Sequence, residues 1–372
     1  MTDEQLIVQP GHILLLVGTT KGAFLFRTDP ERREAKVSGP HMPGQPVYAL
    51  AYDDRGGRRR VLAGAESWHW GPQVYHSDDL GATWSEPVEG GVRFPEEAGA
   101  ALKRVWQLKP AGADQPDVLY AGVEPAALFR SKDGGESFEL LQGLWDHPHR
   151  PKWEPGGGGL CLHTVVLDPD DPARIWVAIS AAGVYHSTDG GVSWETRHQG
   201  VRADFRPDHY PEFGQCVHKV APAGGRPNRM YLQNHWGLYR SDDAGGQWTD
   251  VANGVPSDFG FPVVAHPSDP DSAWVIPLTS DGFRCTAEGR ARVYRTRDAG
   301  ASWDPLTEGL PQQNAYLTVL RDGFTTDGDE PAGLYFGTRT GELFASGDEG
   351  DSWKLLANWL PPVLCVRAAV VR

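Results

Sequence analysis

The chain is poor in the residues that would point to several common functions. Only 4 of its 372 residues are Cys, too few for a disulfide framework. It has no excess of positive charge: 35 Lys and Arg stand against 49 Asp and Glu, a net charge of −14. An acidic surface repels phosphate backbones and anionic lipid, so neither nucleic acid nor a membrane surface is expected as a partner. No window approaches the 18 apolar residues of a spanning helix. The first residues, Met-Thr-Asp-Glu-Gln, are acidic, and the apolar run at 13–17 is short. A secretory signal needs a basic start and a longer apolar segment, so a cytoplasmic location is expected. The glycines at 156–159 are not followed by Lys-Ser or Lys-Thr, which removes a phosphate loop.

What is abundant is equally specific. With 45 Gly and 30 Pro, turns are frequent, and 14 Trp and 13 His exceed what an ordinary core uses. Six segments repeat one pattern: Ser77-Asp-Asp-Leu-Gly-Ala-Thr-Trp84, Ser131-Lys-Asp-Gly-Gly-Glu-Ser-Phe138, Ser187-Thr-Asp-Gly-Gly-Val-Ser-Trp194, Ser241-Asp-Asp-Ala-Gly-Gly-Gln-Trp248, Thr296-Arg-Asp-Ala-Gly-Ala-Ser-Trp303 and Ser346-Gly-Asp-Glu-Gly-Asp-Ser-Trp353. They recur every 50 to 56 residues, and a decayed copy surrounds Thr28-Asp29. Asp at the third position can accept hydrogen bonds from turn amides. Gly at the fifth can take a positive φ. Alternating strands precede each turn. Each unit therefore reads as a four-stranded antiparallel sheet, and seven units read as the blades of a propeller. The expected fold is all-β: a single seven-bladed β-propeller over residues 1–372. The first unit lacks an inner strand, and the run Val363-Leu-Cys-Val-Arg-Ala-Ala-Val370 has no partner in the seventh. It is expected to complete blade one and close the ring.

These turns resemble the Asp-box, or BNR, repeat of sialidases and related glycosidase-like propellers, and the resemblance runs over nearly the whole chain. It implies a propeller with a ligand face opposite the box turns and a glycosyl-hydrolase-like activity. The same turn also occurs in receptors and assembly factors. The chain departs from true sialidases. The nearest match to their Phe-Arg-Ile-Pro segment is Phe205-Arg-Pro-Asp208, deep in the chain, and seven blades replace six. It also resembles one half of the tandem propellers of xyloglucanases, and the seven-bladed photosystem assembly factors.

The loops opposite the box turns are long and rich in aromatic and titratable residues. Trp68, His69 and Trp70 sit in one. His147, His149 and Trp153 sit in a second. Arg206, Asp208, His209 and Tyr210 occupy a third. With Trp106, His235, Trp236 and Arg339, these form the expected ligand-binding set. Glu66 and Glu124 follow their second strands at matching sites and are candidate acids or bases, or partners of a neighbouring Arg. Cys161-x-His163 and Cys216-x-His218 enter adjacent blades at equivalent positions, with Trp106 in the corresponding place one blade earlier. Residues i and i+2 of a strand share a face. Three readings of the doubled motif stay open: a zinc site from Cys161, His163, Cys216 and His218; catalytic His163 or His218; or buried side chains bonded between blades. The functional expectation is a hydrolase- or lyase-like enzyme acting on a small polar or anionic, carbohydrate-like ligand. The alternative is a non-catalytic binding or assembly propeller that docks a protein partner on the same face.

Overall fold

A computed structural model describes residues 6–32, 34–85 and 91–372. Seven antiparallel sheets follow one another along the chain. Six have four strands. The second has three among the described residues, Val47–Asp53, Arg60–Ser67 and Gly71–Ser77, and the fourth strand expected of it lies outside them. The strand Val363–Val370 pairs with Ile13–Thr19 from Ile13 opposite Val370 to Gly18 opposite Cys365. The last strand therefore completes the first sheet and closes the ring, as the sequence predicts.

Burial falls from the axis outward. In the fourth sheet, Ile175–Ser180 and Gly183–Ser187 are buried at every position, while the outermost strand, Glu195–Thr196, is largely exposed. Both faces of an inner strand meet a neighbouring blade, so these strands read as continuous apolar runs rather than alternations. Each seam between neighbouring sheets holds its own core. Trp176, Val217, Leu232 and Trp248 fill the seam between sheets four and five. Leu15, Val17, Tyr335 and Val366 fill the seam between seven and one. The seams are narrow. A Cβ on Gly18 would lie 2.4 Å from the Val47 carbonyl oxygen, and one on Gly122 would lie 2.5 Å from that of Leu162. Glycine is what allows the next blade's inner strand to approach there.

The repeated turns work as their composition suggests. Ser187 Oγ donates to Asp189 Oδ1 (2.7 Å) and accepts from the Gly191 amide (2.8 Å). Asp189 in turn accepts from the Ser193 amide (2.9 Å) and hydroxyl (2.6 Å). The fifth-position glycines all have positive φ, between +87° and +100°. Trp194, Trp248, Trp303 and Trp353 are buried beneath their turns. Hydrogen bonding from the Ser193 hydroxyl and then its amide lowers the Asp189 pKa to about 2, and Ser302 lowers Asp298 in the same way. In Asp79, Asp133, Asp243 and Asp348 partial burial opposes the shift, and the accepted hydrogen bonds outweigh it.

One irregularity positions the site. The inner strands carry a register shift at the same level in six sheets. In five of them the unpaired residue is Leu364, Tyr48, Trp106, His163 or His218. In the sixth sheet the shift lies between Gly260 and Val263, beside Phe261. A β-bulge re-aims its side chain, so the axis is ringed by bulge residues on one face of the propeller.

Two outcomes test this architecture. Val366 is fully buried at the closing seam, and Val366→Asp should cost about 4 kcal/mol or more, since an unpaired charge is buried. By comparison, Val192→Thr on an exposed turn should stay within about 0.5 kcal/mol in urea unfolding. The turn carboxylates set the acid limit. Their folded pKa values lie below the unfolded value of about 3.9, so their stabilisation is complete above that value. It is lost as pH falls toward the folded values, about 2 for Asp189. The urea midpoint should drop steeply over that window, and Asp189→Asn should lower it at neutral pH while making the acid fall shallower.

Candidate functional site

The bulge level opens into a cavity of about 150 Å³ at the axis, on the face opposite the box turns. Its walls come from inner strands and from the loops on this face. Tyr48, Trp106, Phe259 and Phe261 provide an aromatic surface, and Cys216, His218, His235, Arg284, Arg321 and Asp322 provide the polar groups.

The polar groups differ sharply in freedom. Asp322 is tied twice, accepting from Lys219 Nζ at 2.7 Å and from the Arg367 guanidinium at 2.6 Å. Burial would raise its pKa, but these two cations hold it well below the usual carboxylate range. This trio lies between the cavity and a second hollow, lined by Lys109, Lys219 and Arg367, that runs on along the inner strands. Arg321 is the reverse case. Among the described residues no carboxylate pairs with it, and its Nε is buried with no hydrogen-bond partner. Its guanidinium lies 5.2 Å from the Trp106 ring centre and donates weakly to Cys161 Sγ at 3.6 Å. Arg284 stands 5.6 Å from the Phe261 ring centre.

Both cavity histidines are disfavoured in their charged form by burial. His218 Nδ1 lies 2.6 Å from the Gly260 carbonyl oxygen, so it carries the proton and donates. Nε2 is then a lone-pair acceptor, 3.7 Å from Cys216 Sγ. Burial, and then the nearby Arg321 charge, push the His218 pKa down to about 3. Burial also lowers His235, partly opposed by Asp281, which sits 3.4 Å from its Nε2.

The doubled Cys-x-His motif separates into two environments. His163 is fully buried and spends both ring nitrogens on the protein, Nδ1 with Thr164 Oγ1 and Nε2 with the Val217 carbonyl, each at 2.9 Å. Burial holds its pKa well below the usual value. It can neither ligate a metal nor exchange a proton with a ligand while those bonds stand. The four-residue zinc set is therefore corrected: the structure groups Cys216 and His218 with His235, and not with Cys161 and His163. Burial raises the Cys161 thiol to about 11.

Glu66 and Glu124 are matched, as their spacing predicts, but they share one cation. Arg104 pairs with Glu66 and lies 3.7 Å from Glu124, while Glu124 also accepts from Trp106 Nε1 at 3.2 Å. Arg104 packs over the Tyr48 ring at 4.1 Å. The two carboxylates thus brace the back of the aromatic wall rather than facing the cavity.

The remaining candidates form a rim. Trp68 and Trp70 are 88% and 73% exposed, and the His69 amide donates to Ser67 Oγ. His147 and His149 pack against Tyr185, whose hydroxyl accepts from buried Trp153 Nε1 at 2.8 Å. Arg206 pairs with Glu154 at 3.1 Å and His209 with Asp204 at 3.3 Å. Asp208 accepts the Tyr210 amide. Trp236 packs at a tilt against both His235 and Phe205. The Arg339 amide donates to the Thr318 carbonyl. Tyr48, Phe259, Phe261 and Arg321 are cavity residues that the motif search passes over. Their signal is positional: each lies at the start of an inner strand, or just before one, at the level of Trp106 and His218 in its own blade.

Comparison with known proteins agrees with this fold. No family model matches the chain. It is 29% identical over 189 residues to a probable oligoxyloglucan-reducing end-specific xyloglucanase of Neosartorya fischeri, covering 48% of this chain and 19% of that protein. A xyloglucanase of Paenibacillus sp. is 23% identical over 264 residues, 65% of this chain and 24% of that one. The chain thus spans a quarter or less of the length of these two relatives. Among solved structures, the GH74 xyloglucanase of Xanthomonas campestris superposes with a TM-score of 0.62 at 19% identity, over 94% of this chain and 53% of that one. A structure of YCF48 bound to D1 peptide superposes at 0.56 with 12% identity, over 99% and 98% of the two chains. The fold is a β-propeller of the kind seen in both of these solved structures.

Proposed function

We propose that this chain is a carbohydrate-active enzyme, hydrolase- or lyase-like, that takes a small acidic sugar or the acidic end unit of a larger glycan at the axial cavity. The observation that carries the reading is Arg321: a guanidinium without a carboxylate partner among the described residues, set against Trp106 in an aromatic hollow. A planar guanidinium binds a carboxylate through two parallel hydrogen bonds, and aromatic faces cover the apolar side of a sugar ring. The cavity suits one ring: at about 30 Å³ per water it displaces only about five waters. The resemblance to xyloglucanases supports carbohydrate as the ligand class. The repeated turns support the Asp-box assignment within that class. Among the described residues Asp322, Glu66 and Glu124 are each held by cations, so they do not offer the free carboxylate pair of ordinary glycosidases.

A second reading rests on a different observation. Trp68, Trp70 and Trp359 are each more than 70% exposed, and large exposed aromatics are the usual anchors of protein interfaces. A peptide or protein could dock across this rim without entering the cavity.

Calorimetric titration with glucuronate, galacturonate and glucose separates the two. Binding of an acid sugar, weakened at least tenfold by Arg321→Gln and left unchanged by Arg226→Gln, is the expected result. Equal affinity of wild type and Arg321→Gln, or no binding of any sugar acid by the wild type, would overturn the proposal.

A further inference from the structure

We propose that Cys216, His218 and His235 form a three-ligand site for a zinc-class divalent ion, with its fourth position open to the axial cavity. One donor atom from each lies within 4.8 Å of the other two. The Cys216 Sγ to His218 Nε2 separation of 3.7 Å fits a shared tetrahedral ion. Bonds of about 2.3 Å to sulfur and 2.05 Å to nitrogen place two such donors roughly 3.6 Å apart.

The surroundings are those of a ligand set. His218 donates its Nδ1 proton to the Gly260 carbonyl, which fixes the tautomer and turns the Nε2 lone pair toward Cys216. Metal-bound imidazoles generally make such a bond on their far nitrogen. Asp281 stands beside the His235 ring and can orient it. Ser180 Oγ, 3.6 Å from Cys216 Sγ, can donate to a thiolate. All three donors border the cavity. A water or a ligand oxygen would complete the coordination, an arrangement found in catalytic rather than closed structural zinc sites. One sulfur and two nitrogens favour Zn²⁺ or Co²⁺ over Mg²⁺ and Ca²⁺, which take oxygen donors. Arg321 and Arg284 oppose a bare dication here. The Cys216 thiolate offsets one of its charges, and an anion in the fourth position would offset the other.

A second group, His266, Glu330 and Glu349, is weaker. His266 Nδ1 already accepts the amides of Ser268 and Asp269, and Glu330 is exposed.

The inference is independent of the sugar ligand, and so is its test. The full chain is stripped with a chelator, freed of it and titrated with Co²⁺. One equivalent should bind, with the near-ultraviolet thiolate-to-cobalt absorption and the intense visible bands of a tetrahedral ion. Cys216→Ser should abolish the thiolate absorption, His235→Gln should weaken binding at least tenfold, and Cys161→Ser should change neither. Zn²⁺ should raise the melting temperature of the wild type only. Circular dichroism checks that each variant is folded. Should Cys216→Ser fail to fold, the half-buried His235→Gln decides alone. The proposal is overturned if the wild type gives no thiolate absorption, if His235→Gln binds as tightly as the wild type, or if Cys161→Ser loses the band while Cys216→Ser keeps it.

Discussion

Everything in this molecule rests on one backbone ladder, that between Val363–Val370 and Ile13–Thr19. The ring closes because the first sheet takes its inner strand from the segment that follows the seventh, which leaves no unpaired edge on Ile13–Thr19. The seam between blades seven and one, with Leu15, Val17 and Val366 at its centre, exists because of that pairing. So does the axial cavity, since Leu364, next to Cys365 on the closing strand, is one of its wall residues. An open ring would let the inner strands splay, and the six bulges at one height would no longer meet.

The bulges convert a repeated scaffold into a site of mixed chemistry. Tyr48, Trp106, His218, Phe261 and Leu364 reach the cavity from bulges in five different blades, so its character depends on unlike residues at one level of the repeat. The sequence reveals this only in part. The repeat spacing identifies the blades, the closing strand and the equivalence of Trp106, His163 and His218. It cannot say that His163 will meet the Val217 carbonyl of the next blade and Thr164 of its own, while His218 keeps a lone pair toward Cys216. Those outcomes depend on the seam across which each ring lies. Glu66 and Glu124 make the same point. Their matched positions are visible as a pattern, but the Arg104 charge that joins them belongs to a strand whose own sequence, Arg-Val-Trp-Gln-Leu-Lys-Pro, marks nothing of the kind. Arg321 escapes motif reasoning because it belongs to no motif; only its height in the blade marks it.

Charge is distributed against the average. The chain carries −14 overall, yet Arg321, Arg284, Lys219, Arg367 and Lys109 line the axis, with Asp322 the acidic residue among them there. Burial lowers the pKa of Lys109, and the neighbouring Arg367 and Lys219 lower it further. A low-dielectric hollow with an excess of positive groups inside an acidic shell focuses its field toward the mouth. An anion is therefore repelled by the periphery and attracted only near the axis, which favours small charged ligands over long ones.

The pairing of the two chain ends also orders events during synthesis. Blades three to seven are each built from consecutive strands and can form as they leave the ribosome. Blade one cannot: its second strand, Ile13–Thr19, is made near the start, and its inner strand near the end, about 350 residues later. At translation rates of roughly 5–20 residues per second, a sticky apolar edge waits for tens of seconds for its complement. Ile13–Thr19 is thus satisfied long after it is made, and that interval is when a nascent ring is most open to pairing with another chain.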